Sequence, residues 1–555
     1  MNINSISQLK TSLRIRIHAS VLSVASCAIA LLQLSLASTV IAVNTTERWG
    51  IFEIELNGPT NGNPFVDVRL SATFDNGFKQ VNVPGFYDGD GIYRIRFMPD
   101  TQGQWHYETH ANVAPLTDNT GEFSVTSPGK GNHGPVRVHN TFHFAYADGT
   151  PYVPFGTTIY NWLDTPESVQ EETLKTLAAA PFNKARMLVT EQPRAYRNTF
   201  PPPLWPFAGT PPHDWDLTRF NPEFFRHYEK RIGQLRDMGI EADLILFNPY
   251  GRWGFNSMNP DEDDRYVRYI VARFAAYRNV WWSLANENSF VRTKTDADWN
   301  RLGALLRRCD PYHHLRSIHN GPNPYDYNRP WVTHVSFQSR VAVESPGSAG
   351  MLRLAYHKPV IYDEVGYEGA GPSRWGTLSG LEMVHRFWCG IIGCTFVTHG
   401  DYFNEQGPDA WISFGGAISG QSVPRIAFLK KILERGPREG LDIIDQDYEP
   451  DVAGQAGKYY LIYFGKETPT SWVFQLYKRG LSEGMRFKAD VIDTWNMTIT
   501  PAAGEFVTKQ KDGYYFVDAE GGSVSLPGKP WIALRIQRVG KKNGEALSEE
   551  PGEED

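Results

Sequence analysis

Between about Tyr152 and Arg435 short, continuously apolar runs alternate with segments whose apolar residues recur at helical spacing, and no other feature constrains the fold as tightly. Asn221-Pro222 opens one helical segment, Phe225, Tyr228, Ile232 and Leu235 line its buried face, and Gly239 ends it before the strand-like run Ala242–Phe247. Val267, Ile270, Val271 and Phe274 then precede the run 280–284, and Trp299, Leu302, Leu305 and Leu306 precede 315–318. Strands that are apolar on both faces and joined by helices pair in parallel, because each crossover returns the chain to the same end of the sheet. Eight such runs, ending near Gly156, Val189, Phe247, Leu284, Ile318, Phe337, Tyr362 and Val397, predict a (β/α)8 TIM barrel over residues 136–438. A doubly wound open sheet is the alternative, but the first strand is not followed by a glycine-rich phosphate loop.

The flanks obey a different period. Residues 43–130 carry short alternating runs such as 66–74 and 92–97, separated by Asp75-Asn-Gly77 and Asp88-Gly-Asp-Gly91, which predicts an immunoglobulin-like β-sandwich. Residues 445–540 repeat that regime, with runs at 459–464, 485–492 and 531–536, and predict a second sandwich. The expected class is therefore α/β, a barrel flanked by two β-sandwiches.

Residues 1–42 place Lys10, Arg14 and Arg16 ahead of an apolar stretch that ends in small residues, the pattern of a signal peptide. We expect an exported protein, periplasmic or secreted, with no stable membrane insertion after processing. Lipidation at Cys27 is less favoured because the apolar run continues past it, and an uncleaved anchor is the other alternative. Residues 541–555 form an acidic tail expected to be disordered. A net charge of −7 leaves no electrostatic footprint for nucleic acid. Cys309, Cys389 and Cys394 are too few for a disulfide scaffold; Cys389 and Cys394 could meet, but are expected instead as buried thiols. No metal-ligand spacing and no nucleophile elbow are present, so neither a metal nor a cofactor is expected.

A barrel presents its chemistry at the carboxyl ends of its strands. Asn286-Glu287 follows strand four, and Glu364 ends strand seven in Lys358-Pro-Val-Ile-Tyr-Asp363-Glu364. Strands four and seven face each other across the ring, so these carboxylates can flank one substrate atom. Glycoside cleavage needs such a pair, one carboxyl protonated and one ionised. Arg186, on an otherwise apolar strand two, needs an anion and is positioned to keep Glu364 charged. Alternation along strand seven turns Asp363 toward the helices, and Glu368 is the rival nucleophile. Further binding groups are expected from Asn161 and Trp162 after strand one, Tyr250 and Trp253 after strand three, and His319 after strand five. Gln338 after strand six, with His399 and Trp411 after strand eight, completes the set. The proline-rich loop 200–215 reads as a cleft wall, with Trp205 and Trp215 as possible sugar platforms.

With these residues in place, the chain resembles the retaining glycoside hydrolases of clan A, which include endoglucanases and mannanases. Within them it is similar to bacterial endoglucanase-like proteins of the apiosidase-like branch, built from an immunoglobulin-like domain, a barrel and a C-terminal β-domain. The resemblance implies that Glu287, in its Asn-Glu pair with Asn286, is the acid/base and Glu364 the nucleophile, with Arg186 beside it. It implies a poly- or oligosaccharide substrate and a double displacement. Asn288 stands where many clan members have proline, and Phe337-Gln338 where an aromatic residue is common after strand six. The alternatives are a non-catalytic carbohydrate-binding barrel, and a transglycosylase or lyase using the same carboxylates.

Overall fold

The structure is a computed structural model that describes residues 44–190, 204–210, 214–250, 253–371, 374–403 and 410–540. The leader expected at 1–42, the tail at 541–555 and the proline-rich start of the 200–215 loop lie outside the described residues.

The barrel strands are β1 (Gly156–Thr158), β2 (Lys184–Leu188), β3 (Glu241–Phe247), β4 (Val280–Ala285), β5 (Arg316–Ser317), β6 (Val335–Gln338), β7 (Val360–Glu364) and β8 (Phe396–His399). They pair in parallel in the order 5-4-3-2-1-8-7-6, and a bridge from His319 to Ser336 joins β5 to β6 and closes the ring. The fold is thus the expected TIM barrel.

Among the described residues, seven helices of more than ten residues surround it: α1 (Glu167–Ala179), α2 (Pro222–Asp237), α3 (Pro260–Phe274), α4 (Asp296–Cys309), α5 (Pro346–Tyr356), α6 (Gly380–Ile392) and α7 (Val423–Glu434). Their starts are locally encoded. Asn221 accepts from the Glu223 amide ahead of α2, and Asn259 forms a capping box with Glu262 at α3, where Asp261, Glu262 and Asp263 also favour the helix dipole. No helix joins β5 to β6. Instead the loop lays Trp331 flat against α4 at Gly303, where a Cβ would stand 2.2 Å from the indole, so only glycine fits.

The amino end of the barrel is plugged. The strand His143–Tyr146 drives Phe144 into it, with ring centroids 5.4 Å from Trp281 and 5.6 Å from Phe396. Tyr152 beside it donates to the Asn183 carbonyl at 2.8 Å. With that end filled, a substrate can reach the interior only from the carboxyl ends of the strands.

Both flanking bodies are β-rich and each has its own core. In the first, Phe52 stacks on Phe123 at 3.8 Å and Phe74 on Phe97 at 4.1 Å. The second is a nine-stranded sheet system over 442–538 with Phe474, Phe487 and Phe506 at its centre. It docks through Tyr463, whose ring stacks on Trp388 of α6 at 5.3 Å. Cys309, Cys389 and Cys394 are free thiols, the last two buried.

The first body is joined to the barrel by buried charge. Glu229 of α2 meets Arg96 at 2.6 Å and Arg273 of α3 at 2.7 Å, and Arg273 continues to Asp88 at 2.8 Å. Cutting one member from such a network strands the others without solvent, at a cost of about 3–5 kcal/mol. Glu229→Ala should therefore destabilise the protein by that order, measured as a fall in the chemical-denaturation midpoint, with earlier proteolytic release of the N-terminal body.

Candidate active site

Inside the barrel, polar side chains replace the usual apolar filling over two levels. On the lower level Lys184 of β2, wholly buried, reaches Asp243 of β3 at 2.7 Å and Asp363 of β7 at 2.8 Å. Asp363 also accepts from Thr398 at 2.8 Å and from Ser336 at 2.5 Å. Burial alone would raise its carboxyl, but Lys184 first, and then the Arg186 guanidinium and the His319 ring, hold it far below its ordinary value.

On the upper level the equally buried Arg186 gives Nη2 to Asn286 Oδ1 at 2.5 Å and Nη1 to the Tyr160 hydroxyl at 3.0 Å. The same Nη1 lies 3.5 Å from Glu364 Oε1. Tyr160 donates to that oxygen, and His319 Nε2 stands 3.4 Å from it. Oε2 accepts from Tyr367 at 2.7 Å and from the Gln338 amide at 3.4 Å. Burial alone would raise the Glu364 carboxyl, but the His319 ring, the Arg186 guanidinium and the Tyr160 hydroxyl overcome it and bring the pKa down to about 2.

Across the mouth, Glu287 occupies the left-handed region at φ 45°, which swings its side chain over the opening while Asn286 still reaches inward to Arg186. Glu287 accepts from Gln338 at 3.0 Å and from Tyr250 at 3.2 Å, and Asn286 donates to the Tyr250 hydroxyl at 2.8 Å. Burial first, and then the charge on Glu364, push its carboxyl above the ordinary value despite those bonds. Two acids at one opening are thus driven in opposite directions. Among the described residues, no three His, Cys, Asp or Glu side chains are grouped as metal ligands.

Residues 138–393 match the apiosidase-like catalytic domain family, residues 45–112 a domain of unknown function (DUF5060) and residues 448–537 another (DUF5605). A crystal structure of a candidate glycoside hydrolase from Bacteroides vulgatus is 42% identical, covering 89% of this chain and 100% of its own, at a TM-score of 0.86. The chain belongs to the glycoside hydrolases, and its barrel carries the apiosidase-like match. A family 5 glycoside hydrolase from the same organism shares the fold at a TM-score of 0.54 and 14% identity, over 73% of this chain and 94% of that one. No curated protein matches. The enzyme is accordingly an O-glycosyl hydrolase built on a TIM barrel.

Of the residues expected at the site of this hydrolase, Glu287, Glu364, Arg186, Asn286, Tyr250, His319 and Gln338 converge on one opening. Five others do not. Trp162 is fully buried and gives its indole N–H to Met187 Sδ at 3.3 Å, on the helix side of β2. Asn161 turns its amide nitrogen to Asp164 Oδ2 at 2.6 Å. Trp253 is 4% exposed, lies 4.6 Å from Trp205 and offers no free face to a sugar. His399 faces away from the bore, stacked on Phe182 at 5.0 Å, and burial lowers its pKa to about 3. Trp411 is fully buried, donating to Thr157 at 2.7 Å. Trp205 and Trp215 likewise pack on each other at 5.1 Å, both half-buried.

Two orientations also depart from expectation. Asp363 points into the barrel, because the β6–β7 register shifts between Phe337 and Gln338 and lets consecutive residues of β7 both face inward. Glu368 is no rival nucleophile. Its oxygens accept from the Gln421 and Ser422 amides at 2.6 and 3.1 Å, just before α7.

Tyr160 and Tyr367 are the site residues that the sequence reading missed. Tyr160 shares the parity of Thr158 on β1, and that alternation was the available signal; Tyr367 lies beyond the end of β7, where no period operates. A hydrogen bond to a charged group is worth about 1.5–3 kcal/mol, or roughly 1–2 pH units. Tyr160→Phe should move the acid limb of the kcat/KM profile upward by that interval, read with an aryl glycoside.

Proposed function

We propose that this hydrolase cleaves a poly- or oligosaccharide with retention, Glu287 serving as acid/base and Glu364 as nucleophile. The observation that carries the reading is the Gln338 amide nitrogen, 3.0 Å from Glu287 Oε1 and 3.4 Å from Glu364 Oε2. Those two oxygens can be no farther apart than the two lengths together, 6.4 Å. Inverting enzymes hold their carboxyl groups about 6.5–9.5 Å apart to admit a water, and retaining ones about 5–5.5 Å. The bound falls below the inverting range.

In the first step Glu364 Oε2, the oxygen turned toward Glu287, bonds to the anomeric carbon as the glycosidic bond breaks and Glu287 gives its proton to the departing oxygen. In the second, water bonds to that carbon, its proton passes to Glu287, and the bond to Glu364 breaks. The opposed shifts of the two carboxyls match this division of labour. Arg186, Tyr160 and Tyr367 keep Glu364 ionised, and Gln338 and Tyr250 orient Glu287. The basic and apolar leader at 1–42 supports action outside the cytoplasm, in the periplasm or beyond.

Glu364→Ala should abolish turnover. Glu287→Ala should regain activity on an activated aryl glycoside when azide is added, giving a glycosyl azide of retained configuration; full activity in either variant without azide would refute the assignment. The kcat/KM profile should fall on the acid side only as Glu364 protonates, near about 2. It should fall on the alkaline side as Glu287 loses its proton, above the ordinary glutamate value of 4.5. Glu287→Gln, assayed with a good leaving group, should lose the alkaline limb.

A further inference from the structure

The proton inventory beneath Glu364 assigns a role to His319 other than gripping sugar. Ser336 Oγ lies 2.5 Å from Asp363 Oδ2 and 3.1 Å from His319 Nδ1. Serine has one proton, and Asp363, paired with Lys184 and ionised, can only accept. The serine proton therefore points to Asp363, and its oxygen accepts from His319 Nδ1–H. The other ring nitrogen, Nε2, stands 3.4 Å from Glu364 Oε1, which also only accepts, so a favourable contact there needs a proton on Nε2 as well. Gln338 Nε2, 3.5 Å from His319 Nε2, does not supply it, because its two protons face Glu287 and Glu364.

Charge balance leads to the same place. Lys184 and Arg186 of β2 confront Asp243 of β3 together with Asp363 and Glu364 of β7, each 5% exposed or less. Glu287 of β4 is driven toward its neutral form. Two cations against three anions leave one negative charge unanswered in a water-poor interior, which is costly. His319, itself wholly buried, contacts the set from beyond β5; His334, the imidazole that also feels Asp363 and Lys184, is driven to its neutral form by burial.

We propose that His319 carries a proton on both ring nitrogens, an imidazolium fixed by the Asp363–Ser336 pair and aimed at Glu364 Oε1. It is then a positioning residue acting through Glu364, a role that rests on Glu364 being the nucleophile. In the free enzyme its Nε2–H occupies Oε1 and leaves Oε2 to attack. Once Oε2 is bonded to sugar, Oε1 becomes the ester carbonyl oxygen, and the same N–H waits where negative charge returns when the ester breaks.

The test uses the full chain labelled with 15N-histidine at the pH of greatest activity, the His319 signals being those absent from His319→Gln. Both ring nitrogens should show a bonded proton. Ser336→Ala, checked for a native melting profile, should strip one of them and lower kcat roughly 10- to 100-fold with KM nearly unchanged; Ser336→Thr, which keeps the hydroxyl, should restore both. A bare ring nitrogen in the wild type would overturn the proposal whether or not the variants fold. So would a folded Ser336→Ala with both protons and full kcat. Full activity in Glu364→Ala with both protons still present would instead remove the nucleophile assignment and leave the protonation standing.

Discussion

A guanidinium with no access to water sets the terms for this barrel. Arg186 cannot shed its proton, so the surrounding strands must answer its charge and its fixed fork of donors. They answer its charge with Glu364 from β7 and its two terminal nitrogens with Asn286 after β4 and Tyr160 beyond β1. Three segments distant in sequence are thereby held to one geometry by one side chain. Lys184 repeats the arrangement one level below with Asp243 and Asp363. Such interiors are weak contributors to stability and strong ones to placement. Here they fix where two carboxyls stand and which of them is charged.

The frame around the site is correspondingly firm. Phe144 stops the amino end, so displacement of the strand ends toward it would have to break an aromatic cluster. Glu368 and Asp401 grip the amides of residues 419–422, Asp401 taking Ser419 and Gly420 at 3.1 and 2.6 Å. The segments after β7 and β8 are therefore tied to the chain entering α7. A rim held at four amides supports the positional tolerance that preorganised catalysis demands.

Much of this was legible in the sequence, for a definable reason. Strand ends and helix caps are local events, and the eight apolar runs located every barrel strand. The acids after strands four and seven followed from that, as did the need of Arg186 for an anion. What could not be read was the direction of side chains beyond the last paired residue. Trp162 and Trp411 lie beyond strand ends, yet turn outward to Met187 and Thr157, while His399, the last paired residue of β8, faces Phe182. Strict alternation also misplaced Asp363, because one register shift between β6 and β7 puts two consecutive carboxylates on the same side. Period-two reasoning has no access to a bulge, which is a property of a pair of strands and not of either one.

The left-handed backbone at Glu287 carries an evolutionary corollary. Glycine or asparagine would sit there with less strain, and the conformation costs a glutamate about 1–3 kcal/mol. Drift toward greater heat tolerance and selection for turnover consequently pull in opposite directions at one Cα. A lineage released from its sugar would be expected to lose this residue early, and to gain robustness in doing so.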